Sequence, residues 1–272
     1  MLLAMDVGNS NIVMGLYRLP GGDTADGQTS DLVANWRITT PAKSAVDEFG
    51  VMLRSLLGQH GLGLDVVSGV VISSVVPPLD SMLRQVGETY FHVKPLFIEP
   101  GVRTGLPVLT DNPAEVGADR IVNSVAAFER FGGPCIVVDM GTATTFDVIS
   151  KKGEFIGGAI APGLGISADA LFARAARLPR IDVKKPAKVI GTGTVDNIQI
   201  GLYYGYIGLV DGILARMLAE MGPGTKTVAT GGLAKLIAGG SKYIGEVDEM
   251  LTLTGLRIVY ERNFDRQKRR GA

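Results

Sequence analysis

Two short segments of the sequence, residues 6–11 and 139–145, carry residue types that could bind the phosphates of a nucleotide. In each segment an apolar strand ends in Asp-x-Gly, and small polar residues precede the next strand. A tight turn with Gly exposes backbone N–H groups to phosphate oxygens, and nearby hydroxyl and amide groups add hydrogen bonds. The carboxylate at each strand end, Asp6 or Asp139, could hold Mg²⁺ directly or through water. The pattern therefore indicates phosphate binding beside a divalent cation.

A single Asp-x-Gly hairpin is commonly a plain β-turn, but two copies about half a chain apart are much more specific. The small polar residues of the two copies are Asn9, Ser10, Asn11, Thr142, Thr144 and Thr145. Other nucleotide signatures are absent, since G-x-x-x-x-G-K-S/T does not occur and residues 191–194 do not complete G-x-G-x-x-G. His60 and His92 are isolated, so the sequence shows neither a metal-binding cluster nor a Ser–His–Asp constellation.

Apolar runs and turn residues predict the elements that carry these segments. Strands are expected at residues 2–7 and 12–17, joined at Gly8-Asn9 as a tight hairpin, and residues 136–149 repeat the pattern. A continuous apolar run predicts a buried strand at residues 69–74. Candidate helices lie at residues 45–60, 79–91, 118–131, 165–176 and 195–221.

Strands and helices alternate, so the predicted fold class is α/β with largely parallel or mixed sheets. The spacing of the hairpins suggests a duplicated α/β unit, with one hairpin per domain facing a shared cleft. Pro113 interrupts the pattern before the next helix. Domains are therefore expected at residues 1–113 and 114–272.

Composition excludes several classes of protein. Of 272 residues, 46% are apolar, and the 27 Lys and Arg balance the 27 Asp and Glu. A neutral chain argues against a dedicated nucleic-acid or membrane-surface protein. The start of the chain lacks the features of a signal peptide, and no run approaches a membrane span. The single Cys135 cannot form an intramolecular disulfide, which favours a reducing compartment, and we expect a cytoplasmic protein.

Several motifs, in order along the chain, resemble those of the type III pantothenate kinases. Asp6-Val7-Gly8-Asn9-Ser10-Asn11 resembles the family's first phosphate motif, D-x-G-N-S/T-N, and Gly117-Ala118-Asp119-Arg120 resembles its G-x-D-R pantothenate motif. Residues 139–145 match the second phosphate motif almost residue for residue. Further matches are the Gly-rich residues 157–163, residues 191–201 and Thr230-Gly231-Gly232.

The resemblance implies an actin-like ATPase fold, with two duplicated ribonuclease H-like domains and ATP in a cleft between them. It implies ATP-dependent phosphorylation of pantothenate to 4′-phosphopantothenate, the first step of coenzyme A biosynthesis. The implied cofactors are Mg²⁺ with ATP and a monovalent cation, K⁺ or NH₄⁺. The implied assembly is a homodimer, and its interface is expected on a helix, either near residues 165–176 or in the long helix of the second half. No nucleic acid and no membrane are expected as partners.

The resemblance also assigns roles to residues. Asp119 is expected to accept the proton of the pantothenate hydroxyl, Asp139 to bind the monovalent cation, and Asp6 to hold Mg²⁺. ATP is expected to contact Asp6, Val7, Gly8, Asn9, Ser10, Asn11, Ile12, Val13 and Thr142. Pantothenate is expected to contact Gly117, Ala118, Asp119, Arg120, Thr194 and Thr110. Many members carry Tyr where this chain has Thr110, so a Tyr contact to the substrate does not carry over to this chain.

Each assignment has a structural alternative. Asp119 and Arg120 could form an ion pair at a helix start, Asp139 could cap its own turn, and Thr194 could cap the following helix. A sugar kinase, an exopolyphosphatase-like hydrolase, a regulatory protein or a filament-forming actin relative would compete with the kinase hypothesis. Residues 21–27 are expected to form an exposed loop, and the basic residues 262–270 a frayed terminus. Cys135 and Trp36 are interpreted as packing residues.

Overall fold

Residues 1–19, 32–175 and 177–270 are described by the structure, a computed structural model, with the backbone alone given for residues 265–270. The loop predicted at residues 21–27 lies outside the described residues. The chain forms two compact units. The first comprises Met1–Gly105, Ala114–Ala126 and Thr252–Ala272, and the second comprises Leu106–Pro113 and Ala127–Leu251. The predicted boundary after residue 113 places the segments Ala114–Ala126 and Thr252–Ala272 in the second domain, but both belong to the first unit.

The first unit contains a five-stranded mixed sheet. Its strands are β1 (Leu2–Val7), β2 (Asn11–Tyr17), β3 (Leu32–Thr39), β4 (Gly69–Ser74) and β5 (Leu96–Phe97), in the order β3-β2-β1-β4-β5. The central strand β1 runs antiparallel to β2 and parallel to β4. β3 and β4 run in the same direction on opposite sides of the β2–β1 pair, so the chain crosses over between them, and the helix α1 (Val46–Gly58) lies in this crossover.

Helices cover both faces of this sheet. On one face, Leu3, Met5 and Val7 belong to a buried cluster with the apolar sides of α1 and α2 (Pro77–Tyr90). In α1 the buried Phe49, Leu53 and Leu57 recur every four residues, which places them on one side of the helix. The other face packs against the last helix, α7 (Leu251–Arg270); a β-carbon on Gly15 would stand 2.9 Å from Leu253 Cδ1.

The second unit repeats the sheet strand for strand. The helix α3 (Ala118–Phe131) precedes β6 (Cys135–Met140), β7 (Ala143–Ile149) and β8 (Phe155–Pro162), and β9 (Lys226–Thr230) and β10 (Glu246–Val247) follow later. The order is β8-β7-β6-β9-β10, with β6 antiparallel to β7 and parallel to β9. The helices are α4 (Leu164–Arg174), α5 (Thr194–Met221) and α6 (Ala234–Ala238). This repetition confirms the predicted duplication of an α/β unit.

Most predicted elements are confirmed to within two residues, and α3 and β4 coincide with their predictions. The C-terminal tail is the main correction. Its residues continue the helix α7 to Arg270 instead of fraying, and the side chain of Asn263 exchanges two hydrogen bonds with the backbone of Arg103, at 3.2 and 3.0 Å. Arg262 also donates to the carbonyl of Thr104. These contacts with residues far away in sequence hold the helix in the first unit.

Two packing predictions agree with the structure. Cys135 is fully buried, and burial raises the pKa of its thiol to about 12. Trp36 is half-buried against the core of the first unit, with its ring edge-on to His60.

Among the described residues, α5 alone is long and apolar enough to cross a membrane by length and composition. The core helix of a soluble protein meets the same criterion, and α5 contributes Tyr203, Val210 and Leu214 to the buried cluster of the second unit. This packing accounts for the apolar residues on one side of the helix.

Candidate functional site

The first hairpin presents its polar turn to solvent. The Gly8 N–H donates to the Asn11 carbonyl at 3.0 Å, and the intervening Asn9 and Ser10 are exposed. Thr40, just after β3, braces the turn from the side: its Oγ1 donates to the Gly8 carbonyl at 2.6 Å and its N–H to the Ser10 carbonyl at 3.0 Å. Thr40 was not among the predicted site residues, since its pairing with the hairpin is not local in sequence.

The second hairpin is one residue shorter and is braced in a similar way. The Gly141 N–H donates to the Ala143 carbonyl at 3.0 Å, and the Gly163 N–H donates to the Thr142 carbonyl at 3.1 Å. Gly141 and Thr142 are exposed. A β-carbon on Gly163 would collide with the backbone of Gly141 and Thr142. A glycine is therefore required where the chain leaves β8 against this turn.

Gly231 packs against the second hairpin at Asp139 and Met140. It follows β9, has φ +93°, and a β-carbon there would stand 2.7 Å from both Asp139 Oδ1 and the Met140 nitrogen. The carboxylate of Asp139 thus lies directly against a backbone segment without a side chain. This close approach gives a physical reason for the Thr230-Gly231-Gly232 motif.

Each hairpin carboxylate has a buried hydroxyl residue as its neighbour on the adjacent parallel strand. Asp6 on β1 is in register with Ser73 on β4, and Asp139 on β6 is in register with Thr230 on β9. Ser73 is fully buried and Thr230 is 2% exposed, while both aspartates are partly exposed. Sequence reasoning named Thr230 within the Thr230-Gly231-Gly232 motif but missed Ser73 as a site residue; the polar end of the apolar run at residues 69–74 was the available signal.

The G-x-D-R residues form the start of α3, in the same unit as the first hairpin. The Asp119 carboxylate accepts the backbone N–H of Arg120 at 2.8 Å. A β-carbon on Gly117 would stand 2.6 Å from Asp119 Oδ1, so glycine leaves the space that the carboxylate occupies. The Gly117 carbonyl accepts the N–H of Ile121 at 3.2 Å and so begins the helix.

Burial raises the pKa of Asp119 above its ordinary value, because desolvation disfavours the carboxylate. The backbone N–H and the charge of Arg120 act in the opposite direction, and the net shift is upward. A partly buried carboxylate of this kind holds a proton more readily than an exposed aspartate does. Such a group is suited to proton transfer.

The two other predicted pantothenate contacts lie in the second unit. Thr194 is the exposed first residue of α5, and Gly193 occupies the N-cap position, so Thr194 does not cap this helix. Thr110 has a buried Oγ1 with no hydrogen-bond partner among the residues that the structure describes.

Some of the residues predicted to bind phosphate face the core. The Thr144 side chain is fully buried, and its hydroxyl is hydrogen-bonded to the Tyr206 hydroxyl of α5, so it is not available to a phosphate. The side chains of Val7 and Ile12 are fully buried in the core of the first unit. Any contact of these two residues with ATP would have to come from their backbone.

The predicted residues are therefore divided between the units. The first unit carries residues 6–13 and 117–120, and the second carries Thr110, Asp139, Thr142 and Thr194. A cleft shared by the domains stays a prediction, as do the roles of the individual residues.

The donor atoms near the first hairpin fit a hydrated Mg²⁺. Within the described part of the chain, no three His, Cys, Asp or Glu residues are grouped in a way that could enclose a metal ion. Asp6 offers one carboxylate at a strand end, beside the hydroxyl of Ser73, which has no hydrogen-bond partner among the described residues. Mg²⁺ typically takes one or two carboxylates and completes its shell with water and phosphate oxygens. The residues present match that mode of binding.

Comparison with known proteins identifies a family. A family model described as type III pantothenate kinase matches residues 2–216 of this chain. A type III pantothenate kinase of Acidobacterium capsulatum is 63% identical over 261 residues, covering 96% of this chain and 94% of its own length. Another, of Koribacter versatilis, is 58% identical over 270 residues, covering 99% of this chain and 98% of its own length.

A solved structure gives independent support for the fold. A protein from Sinorhizobium meliloti described as a 2-dehydro-3-deoxygalactonokinase superposes with a TM-score of 0.57 at 16% identity. The match covers 96% of each chain. At this identity the similarity shows the fold alone. It confirms the predicted α/β class of two mixed sheets flanked by helices.

Proposed function

This chain belongs to the type III pantothenate kinase family, and we propose that it transfers the γ-phosphoryl group of ATP to the hydroxyl of pantothenate. The product is 4′-phosphopantothenate, at the start of coenzyme A biosynthesis. The observation that carries this function at the site is the Asp119 carboxylate, which lies at the start of α3 with a raised pKa.

Asp119 is the proposed general base. In the ionised form it would orient the pantothenate hydroxyl toward the γ-phosphorus and accept its proton, a contribution typically worth about 10²–10⁴-fold in rate. Arg120 follows it directly, and a guanidinium can bind the carboxylate of pantothenate with two hydrogen bonds. Gly117 and Ala118 would contact the substrate through their backbone. Thr110, whose hydroxyl is buried without a partner among the described residues, and Thr194 are the proposed contacts from the second unit.

ATP phosphates are the proposed ligands of the two hairpins. The exposed Asn9, Ser10 and Thr142 offer side-chain donors, and the exposed turn at Asn9 offers a backbone N–H group. Phosphoryl transfer depends on positioning and charge stabilisation more than on covalent chemistry by the protein. Mg²⁺ bound with ATP offsets the charge of the phosphates, and Asp6 would hold it through its carboxylate or through water.

A monovalent cation, K⁺ or NH₄⁺, is the proposed ligand of Asp139. Asp139 ends β6 at the second hairpin, and backbone packed as closely as that of Gly231 can bring carbonyl oxygens near the carboxylate. Activity should therefore depend on K⁺ or NH₄⁺, and Asp139→Asn should lose that dependence. Equal activity in Na⁺ and in K⁺ would contradict this proposal.

We further propose a homodimer that uses the exposed side of α5. Gly201, Gly205 and Gly208 lie on that side at helical spacing, and a β-carbon on any of them would meet nothing within 4 Å. Glycine inside a helix costs about 1 kcal/mol relative to alanine, and nothing described within the chain requires it at these positions. The adjacent Tyr204 is 37% exposed. Close approach of a second copy related by twofold symmetry would account for these glycines.

The molar mass of the protein, measured by light scattering as it elutes from a size-exclusion column, tests the dimer. Gly205→Leu should shift the mass from dimer to monomer, since a large side chain would separate the helices. Gly58→Leu, at an exposed end of α1 with nothing within 4 Å, is the matched control and should remain dimeric. A dimer that survives Gly205→Leu unchanged would exclude this face of α5.

Incubation of the purified protein with ATP, Mg²⁺, K⁺ and pantothenate, with the products analysed by mass spectrometry, tests the activity. We expect phosphopantothenate and an equal amount of ADP, and no transfer to glucose. ADP formation without phosphopantothenate would show that the acceptor is another molecule. We propose the cytoplasm as the place of this reaction, with ATP and pantothenate as small-molecule substrates and with no nucleic-acid or membrane partner.

A further inference from the structure

Ser73 carries a buried hydroxyl that forms no hydrogen bond within the described part of the chain. The residue is fully buried, and its Oγ has no hydrogen-bond partner among the residues that the structure describes. A buried hydroxyl without a partner is destabilising, and alanine at the same place would avoid that cost. A hydroxyl retained under these conditions indicates a partner other than the described protein atoms.

The position of Ser73 indicates where that partner is. Ser73 lies next to the end of β4 and is in register with Asp6 on the parallel strand β1. Residues in register on parallel strands project from the same face of a sheet. Met5 and Ile72, one residue earlier, belong to the core cluster on the opposite face. The Ser73 hydroxyl and the Asp6 carboxylate therefore share one face, at the strand ends that lead into the first hairpin.

The second unit repeats this arrangement with a different hydroxyl residue. Thr230 on β9 is in register with Asp139 on β6 and is 2% exposed. In both units, a buried hydroxyl residue thus lies beside the aspartate that begins the phosphate hairpin. The second unit thus carries a threonine at the position that corresponds to Ser73.

We propose that Ser73 is a positioning residue for the Mg²⁺ bound with ATP, acting through a metal-bound water that it shares with Asp6. Such a water has two protons to donate; the Asp6 carboxylate accepts one and Ser73 Oγ accepts the other. Mg²⁺ releases its waters reluctantly, so fixing one of them in orientation fixes the ion. This inference rests on the proposed role of Asp6 in holding Mg²⁺ and adds a second residue to that site.

The adjacent Ser74 is a matched control, because its hydroxyl has a structural role. Ser74 Oγ donates to Asp80 Oδ1 at 2.6 Å and accepts the Val76 N–H at 3.2 Å, which holds the start of α2. The two serines are neighbours on one strand and face opposite sides. Ser74→Ala should lower the unfolding temperature, whereas Ser73→Ala should leave that of the metal-free protein unchanged or raise it.

The decisive measurement is metal affinity in the presence of nucleotide, for the wild type, Ser73→Ala, Ser73→Thr and Ser74→Ala. Mn²⁺ would be titrated against the protein–ADP complex by electron paramagnetic resonance, and the Mg²⁺ dependence of turnover would be measured in parallel. Loss of one hydrogen bond should weaken metal binding in Ser73→Ala about three- to tenfold, with kcat at saturating Mg²⁺ little changed. Ser73→Thr and Ser74→Ala should keep the wild-type metal affinity.

Wild-type metal affinity in Ser73→Ala would overturn the inference. A lowered unfolding temperature in Ser73→Ala with no change in metal affinity would also overturn it, since the hydroxyl would then have a structural role. The Mn²⁺ titration needs no pantothenate, so its result applies to Ser73 even if the acceptor substrate proves to be different.

Discussion

Gly117 and Asp119 are packed so closely that a β-carbon on Gly117 would stand 2.6 Å from the carboxylate oxygen Oδ1 of Asp119. The glycine of the G-x-D-R motif is thus explained by the space that the carboxylate two residues later requires. The same oxygen also accepts the Arg120 N–H at 2.8 Å, which holds the carboxylate in this position.

Gly117→Ala should displace the Asp119 carboxylate and lower kcat. A misplacement of about 1 Å at a reacting group can cost about a hundredfold in rate, so we expect a loss of about ten- to a hundredfold, with a small change in KM for ATP. Gly58→Ala in α1, where a β-carbon meets nothing within 4 Å, is the control and should keep full activity. Steady-state kinetics with both variants would decide; a fully active Gly117→Ala would show that the carboxylate position is not critical.

The activity should fall in acid at a higher pH than an ordinary aspartate would produce. Burial raises the pKa of Asp119 from 3.8, and a general base must be ionised, so kcat/KM should decline as the pH falls through this raised pKa. The measurement is a pH profile of kcat/KM for pantothenate, with an independent check that the protein stays folded. A profile that stays flat down to pH 3.8 would contradict the assignment.

Asp119→Asn should stabilise the folded protein at neutral pH. Because the pKa is raised in the folded state, the folded protein binds a proton more tightly than the unfolded chain does. Stability is therefore lost as the pH rises from the pKa of the unfolded state through that of the folded state. Above the raised pKa the ionised carboxylate is a cost that asparagine does not carry. Thermal unfolding of the variant and the wild type at pH 7 and pH 3 is the test: the variant should be the more stable at pH 7, and the difference should shrink at pH 3.

Gly231→Ala should have two effects: it should strain its own backbone, and it should also crowd the second hairpin. Gly231 has φ +93°, and a left-handed conformation costs a residue other than glycine about 1–2 kcal/mol. Gly101 has φ +98° with nothing within 4 Å, so Gly101→Ala carries the strain of a positive φ without the crowding. Both variants should lose stability in urea unfolding, but Gly231→Ala alone should need more K⁺ for half-maximal activity. A matching K⁺ dependence in the two variants would contradict a cation site at Asp139.

The parts of the structure that were predictable are those with local signals. The first hairpin follows from Gly8-Asn9 between two apolar runs, and α3 was predicted to the residue from its periodicity. The duplication was predictable because both hairpins share one pattern. In these segments the local sequence and the fold agree, which is expected of sequences that fold to one structure.

The parts that were missed depend on contacts between distant residues. Ser73 acquires its place beside Asp6 through a parallel pairing 67 residues along the chain, which no local pattern encodes. The helix α7 belongs to the first unit because its Gly255 packs against the backbone of Val122 in α3. Thr144 was expected to face a phosphate, but its strand turns this residue toward Tyr206 and the core. Each of these results follows from tertiary packing rather than from composition or spacing.

Turnover of pantothenate by Asp119→Asn, compared with the wild type under saturating ATP, Mg²⁺ and K⁺, tests the central claim most directly. The account predicts that kcat falls by about 10²–10⁴-fold, while the Kd for ATP, measured by calorimetry, stays close to that of the wild type. Asparagine keeps the size of the side chain and an oxygen for the Arg120 N–H, so the loss would report the missing base. A variant that phosphorylates pantothenate at the wild-type rate would contradict the role of Asp119.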